Sequence, residues 1–145
     1  MISSHNGLLV TRSSLCVQAE VQLNLATPFL PYLKDLRLVD LNLASFPDAL
    51  ALRLCRLVAL DLSCNQFESL PPSIATITSL KVLDVSQNFV QLRGSDVPLL
   101  ASFTGLRRLA VLSQRTRESS RSGLSLDSFR YLQAFSKRCP GVDLL

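Results

Sequence analysis

The chain has 145 residues, 48% hydrophobic, 18% charged and 6% aromatic, which makes room for one domain with a sizeable core and excludes two large ones. Its formal net charge of +4 is unevenly placed, because residues 1–105 hold seven basic and eight acidic side chains and residues 106–145 hold eight basic and three acidic. No apolar run approaches the roughly 18 positions of a membrane helix, and 31 leucines stand against two tyrosines, seven phenylalanines and no tryptophan, the mark of a leucine position that repeats.

At the N-terminus, residues 1–14 hold two serine pairs and no hydrophobic period, so a flexible leader is expected there. Only Leu8, Leu9 and Val10 are apolar in a row, too few for the core of a secretory signal, and the expectation is a cytoplasmic or nuclear protein. Over residues 15–32, Val17, Ala19, Val21, Leu23 and Leu25 alternate with Gln18, Glu20, Gln22 and Asn24. That period of two predicts an N-terminal capping strand and a connecting segment.

Residues 33–113 repeat. LVALDLSCNQF from Leu57 and LKVLDVSQNFV from Leu80 share the frame L-x-x-L-x-[LV]-x-x-N-x-[FV], the leucine-rich repeat pattern. The frame extends upstream to Leu33, Leu36 and Leu38, downstream to Leu106, Leu109 and Val111, and once more to Cys139, Val142 and Leu144. Each unit supplies a short strand whose inward leucines are buried only by stacking on the next unit. Asn65 and Asn88 fall where the chain turns out of the strand, and their amides are suited to backbone groups left unpaired there. In the first unit Leu41 takes the asparagine position and Asn42 follows it, which predicts a different turn. Pro71 and Pro72 ahead of Ile74 and Ile77, and Ser95 and Asp96 ahead of residues 97–103, predict short return helices.

Residues 114–124 are polar and basic, with Arg115, Arg117 and Arg121 among hydroxyl residues, and predict a basic, Ser-rich loop. Within it Arg117-Glu118-Ser119-Ser120 has the R-x-x-S spacing that basic-directed kinases favour, which makes Ser120 a candidate regulatory residue. Over residues 125–145, Leu126, Phe129, Leu132 and Phe135 recur at helical spacing, Ser125 or Asp127 can cap, and Pro140 stops the helix before a last strand.

The predicted fold is therefore α/β: a right-handed leucine-rich repeat solenoid of about five repeats, with a concave parallel sheet and short convex helices. The repeats, followed by Phe129-Arg130-Tyr131 and by Arg138-Cys139-Pro140-Gly141-Val142 and Leu144, resemble the intracellular cap-type leucine-rich repeat class. That class includes the spliceosomal U2 A-prime, acidic nuclear phosphoprotein, TAP and phosphatase-regulator families. The resemblance implies a protein-recognition scaffold. Gln114-Arg115 stands where cap-type members commonly carry Asn-Pro, and the basic balance departs from the acidic nuclear phosphoproteins.

For chemistry the sequence offers little. His5 is the lone histidine, the cysteines at 16, 55, 64 and 139 form no C-x-x-C pair, and no nucleophile elbow, Walker loop, dinucleotide fingerprint or zincin motif occurs, so no enzyme activity, metal or cofactor is expected. The outward strand positions carry the functional reading. Arg37, Asp61 and Asp84 fall in one column, continued by Ala110 and, in the expected frame, by Asp143. A phosphate backbone laid there would meet carboxylates, whereas a protein segment with basic and apolar residues suits Asp61, Asp84, Val58 and Val82, and Arg37 and Arg107 suit acids at the edges. The expected function is a non-catalytic scaffold or adaptor that binds a protein on the concave sheet. The alternatives are a ribonucleoprotein or mRNA-export component whose basic C-terminal part lies near RNA, and a structural subunit of a cytoskeletal or ciliary assembly.

Overall fold

The computed structural model describes residues 3–5, 8–10, 14–17, 28, 30–115 and 125–145, the first three stretches as backbone strands. They form a small α/β domain: one sheet of eight strands, ordered as in the sequence, with short helices packed on one side of it. The strands are β1 (Ser3–His5), β2 (Leu8–Val10), β3 (Ser14–Val17), β4 (Asp35–Leu38), β5 (Ala59–Asp61), β6 (Val82–Asp84), β7 (Arg108–Ala110) and β8 (Asp143–Leu144). β1, β2 and β3 pair antiparallel, and from β3 onward every pair is parallel.

Parallel neighbours need a crossover between them, and the segments between the strands supply one each time. Between β4 and β5 it holds α1 (Asp48–Ala51); between β5 and β6, a 3-10 turn over Pro72–Thr76; between β6 and β7, a 3-10 turn over Gly94–Asp96 running into α2 (Val97–Ser102). Between β7 and β8 the crossover contains α3 (Leu126–Arg138). Leu36, Leu60, Leu83 and Leu109, which face one another in register, are at most 1% exposed and share one core with Leu50, Leu54, Ile74, Leu100, Leu132 and Phe135. Each such side chain contributes about 1.5–3 kcal/mol of burial.

The strands are short because the chain leaves them through left-handed residues. Asp40, Cys64, Gln87 and Ser113 have φ between 54° and 59°, and each lies three residues beyond one of the register-matched Arg37, Asp61, Asp84 and Ala110. Behind each of the last three turns stands a buried amide. Asn65 Nδ2 donates to the carbonyls of Leu38 at 2.6 Å and Leu62 at 2.9 Å, and its Oδ1 accepts from the N–H groups of Leu41 and Leu43 at 3.0 Å. Asn88 Nδ2 donates to Leu62 and Val85 while its Oδ1 accepts from Phe67 N–H. Gln114 does the same one unit on: its Nε2 reaches the carbonyls of Val85 at 2.9 Å and Val111 at 3.1 Å, and Val90 N–H donates to its Oε1 at 2.9 Å. The carbonyls of Leu62 and Val85 are each shared by two amides, which uses both lone pairs. Gln114, the first residue of the expected loop over residues 114–124, lies outside any helix or strand but is fully buried, because a glutamine amide fills the asparagine position with one more methylene.

Two further expectations change near the N-terminus. Within residues 1–14, expected to be loose, Ser3–His5 and Leu8–Val10 form β1 and β2 and Ser14 opens β3, held by two antiparallel pairings. The strand that pairs with the first repeat is Ser14–Val17; residues 18–27, which carry most of the alternating pattern, lie outside the described residues. The first turn is built differently from the others, as its sequence predicts, with both Asp40 and Asn42 left-handed.

At the other end the last strand is slipped by two residues from the expected frame. Asp143 pairs with Arg108 and Leu144 with Leu109, not with Ala110 and Val111. The reason is that Cys139 serves the helix: its N–H donates to Phe135 carbonyl and its carbonyl accepts from Val142 N–H, so the chain joins the sheet only at Asp143, whose N–H donates to Arg107 carbonyl. Asp143 therefore does not continue the column of Asp61 and Asp84. The buried face of α3 is also rotated from the expected one. Ser128, Leu132 and Phe135 are buried, whereas Leu126 is 80% and Phe129 61% exposed. Ser125 caps by accepting from Ser128 N–H at 3.1 Å, and Ser128 Oγ in turn accepts Leu92 N–H at 2.8 Å; that second bond draws Ser128 into the core.

Candidate functional site

The outward positions of β4 to β7 form three rows, because parallel pairing sets equal register positions side by side. The row at the C-terminal ends of the strands reads Arg37, Asp61, Asp84, Ala110. The middle row reads Asp35, Ala59, Val82, Arg108 and, on β8, Asp143. One residue before the strands, backbone bonds from Val58 to Lys34, from Lys81 to Val58 and from Arg107 to Lys81 link a third row. A shallow depression of about 150 Å³ opens over the first two rows, lined by Asp35, Arg37, Ala59, Asp61, Val82 and Asp84.

The two central carboxylates are held in place. Asp61 Oδ1 accepts from Ser63 N–H at 3.0 Å and from Ser63 Oγ at 2.6 Å, and Asp84 Oδ1 accepts from Ser86 N–H at 2.8 Å. Each aspartate thus closes the turn that follows its strand, and both stay half-buried at the face. Ser86 Oγ accepts Leu112 N–H at 3.2 Å, which ties that turn to the next.

Of the six residues assigned to this surface from sequence, Arg37, Asp61, Val82 and Asp84 line the depression. Val58, 36% exposed, and Arg107, also exposed, lie in the third row outside it. Asp35 and Ala59, with the buried Leu36 and Leu60, also belong to the lining; Asp35 and Ala59 stand outside that assignment, although the strand period alone places them outward. Ser120 and residues 116–124 lie outside the described residues.

Among the described residues, no group of three or more His, Cys, Asp or Glu is placed to hold a metal ion. None of the described helices is long and apolar enough to cross a membrane. Cys55, Cys64 and Cys139 are free thiols. Comparison with protein-family models and with curated proteins finds no match to this chain.

Proposed function

We propose that the chain is a non-catalytic protein-interaction scaffold or adaptor subunit, built as a right-handed leucine-rich repeat solenoid of the cap-type class, which binds a protein partner on its concave sheet. The observation that carries this reading is the row of Arg37, Asp61 and Asp84 beside Ala59 and Val82, a solvent-open depression with fixed carboxylates next to small apolar side chains. Charge complementarity of this kind steers and orients a protein partner. The amide ladder supports the repeat assignment, because Asn65, Asn88 and Gln114 do the same work at equal register. A cytoplasmic or nuclear location belongs to the same proposal.

The test begins with a photo-crosslinking residue at Val82, set against the same residue at Leu52, exposed on the helix side of the sheet. The captured partner is then purified and titrated against Asp61→Asn/Asp84→Asn. Asparagine keeps the Oδ1 acceptor of each turn and removes the charge, so the fold should stay native by circular dichroism while affinity falls about tenfold. Undiminished affinity of the double variant, or equal crosslinking from both positions, refutes the assignment.

A second reading, contact with RNA, is favoured by the exposure of Arg107, Arg108, Arg115, Arg130, Lys137 and Arg138 in the C-terminal part. Such contact must weaken steeply with salt.

A further inference from the structure

Resting on the concave-face reading, we propose that this surface takes one amphipathic α-helix of a partner protein, laid across the strands. Its basic side chains face Asp61 and Asp84, small apolar residues sit over Ala59 and Val82, and acidic side chains face Lys34, Lys81 and Arg107. The proposal comes from matching three lengths. From Lys81 to Asp84 the strand advances three residues, about 10 Å, so the basic third row and the acidic first row stand apart by the diameter of a helix with its side chains, about 10–12 Å. Adjacent strands repeat at about 4.8 Å, close to the helical pitch of about 5.4 Å, so partner residues at i and i+3 or i+4 meet Asp61 and Asp84 in turn. From β4 to β7 the face spans three strand spacings, which a helix of about ten residues covers.

The surface chemistry agrees with those lengths. The middle row is smallest where the helix would press closest, at Ala59 and Val82, and the depression lies there. Each carboxylate is pinned through its Oδ1, so little ordering is left for binding. The acidic row turns basic at Arg37, which confines the partner's cations to the two central strands. An extended peptide has no counterpart on this face, since the backbone groups of β4 to β7 are spent on their neighbours and strand addition needs an open edge. A nucleic-acid backbone laid along the face would run against Asp61 and Asp84.

The probe is a synthetic helix of about 18 residues, long enough to hold its structure, with alanine and leucine on a central stripe, arginine on one flank and glutamate on the other. Three relatives accompany it: arginine on both flanks, glutamate on both flanks, and the bipolar sequence with two central prolines. Binding to the full chain is followed by fluorescence anisotropy and by amide chemical shifts. The bipolar helix should bind at least about tenfold more tightly than the other three, with the largest shifts at Ala59, Asp61, Val82 and Asp84. Asp61→Lys/Asp84→Lys makes both rows basic, so it should lose the bipolar helix and gain the glutamate-flanked one, a gain that a merely unfolded variant cannot show. Equal binding of the proline peptide, failure of the bipolar helix to bind, or no exchange of preference in the double variant overturns the proposal. If the purified partner still depends on Asp61 and Asp84 while the helices fail, the concave-face reading stands and only its helical occupant falls.

Discussion

Asn65, Asn88 and Gln114 are fully buried amides, and each bridges carbonyls of two neighbouring strands while accepting from a backbone N–H. Removing such a side chain leaves several backbone groups unpaired in the core, each costing about 1–3 kcal/mol. Asn65→Ala and Gln114→Ala should therefore lower stability by similar amounts, about 2–4 kcal/mol, as read by urea denaturation. If Gln114→Ala is as harmless as a loop substitution, below about 0.5 kcal/mol, its placement in the ladder is wrong. Asn65 and Asn88 were legible in the sequence because asparagine at that position is the recurring letter. Gln114 was legible only in part: the resemblance sets it at the asparagine of Asn-Pro, yet beside an arginine-rich stretch it reads as the start of a polar loop, and only the hydrogen bonds to Val85 and Val111 reveal that its amide lies inside.

Among the elements, α3 shows how periodicity identifies a helix without choosing its buried face. Leu126, Phe129, Leu132 and Phe135 recur at helical spacing, yet Ser128 takes the place expected of an apolar residue, because its hydroxyl is the partner of Leu92 N–H. Two adjacent stripes compete on such a helix, and the backbone it must satisfy decides between them. Phe129→Ser, on the exposed stripe, should change stability by less than about 0.5 kcal/mol. Ser128→Ala should cost about 1–3 kcal/mol by orphaning that N–H, and Phe135→Ala about 3–5 kcal/mol. Thermal unfolding of the three variants checks the order, and a Phe129→Ser loss as large as that of Phe135→Ala would restore the face expected from the spacing. The two-residue slip of β8 has the same origin, since Cys139 is spent on closing this helix before the strand begins.

For the whole molecule, one continuous core joins the leucines of β4 to β7 to the helices packed behind them. Leu60 and Leu83 are at most 1% exposed in that core, whereas Val58 is 36% exposed one residue before its strand. Leu60→Ala and Leu83→Ala should each cost about 2–5 kcal/mol through the cavity they leave, and each should shift a single transition, because no boundary divides the core between them. Val58→Ala should cost much less. Denaturation with two spectroscopic probes tests both points, and a comparable loss at Val58 would contradict the inward and outward assignment.

The repeating unit, the inward leucines, the parallel α/β arrangement and the outward positions of Asp61 and Asp84 all follow from residue order alone, because a strand's period of two and a repeat of near-constant length leave few ways to bury so many leucines. Whatever depends on a partner distant in the chain emerges only when the chain is folded. Folding draws Gln114 inside, turns Phe129 out, sets Asp143 beside Arg108, and brings Asp35 and Ala59 into one depression with Arg37, Val82 and the two aspartates. Pattern fixes which face of an element is apolar, but register across strands and the satisfaction of buried backbone groups are properties of pairs, and the second member of each pair lies 20 or more residues away.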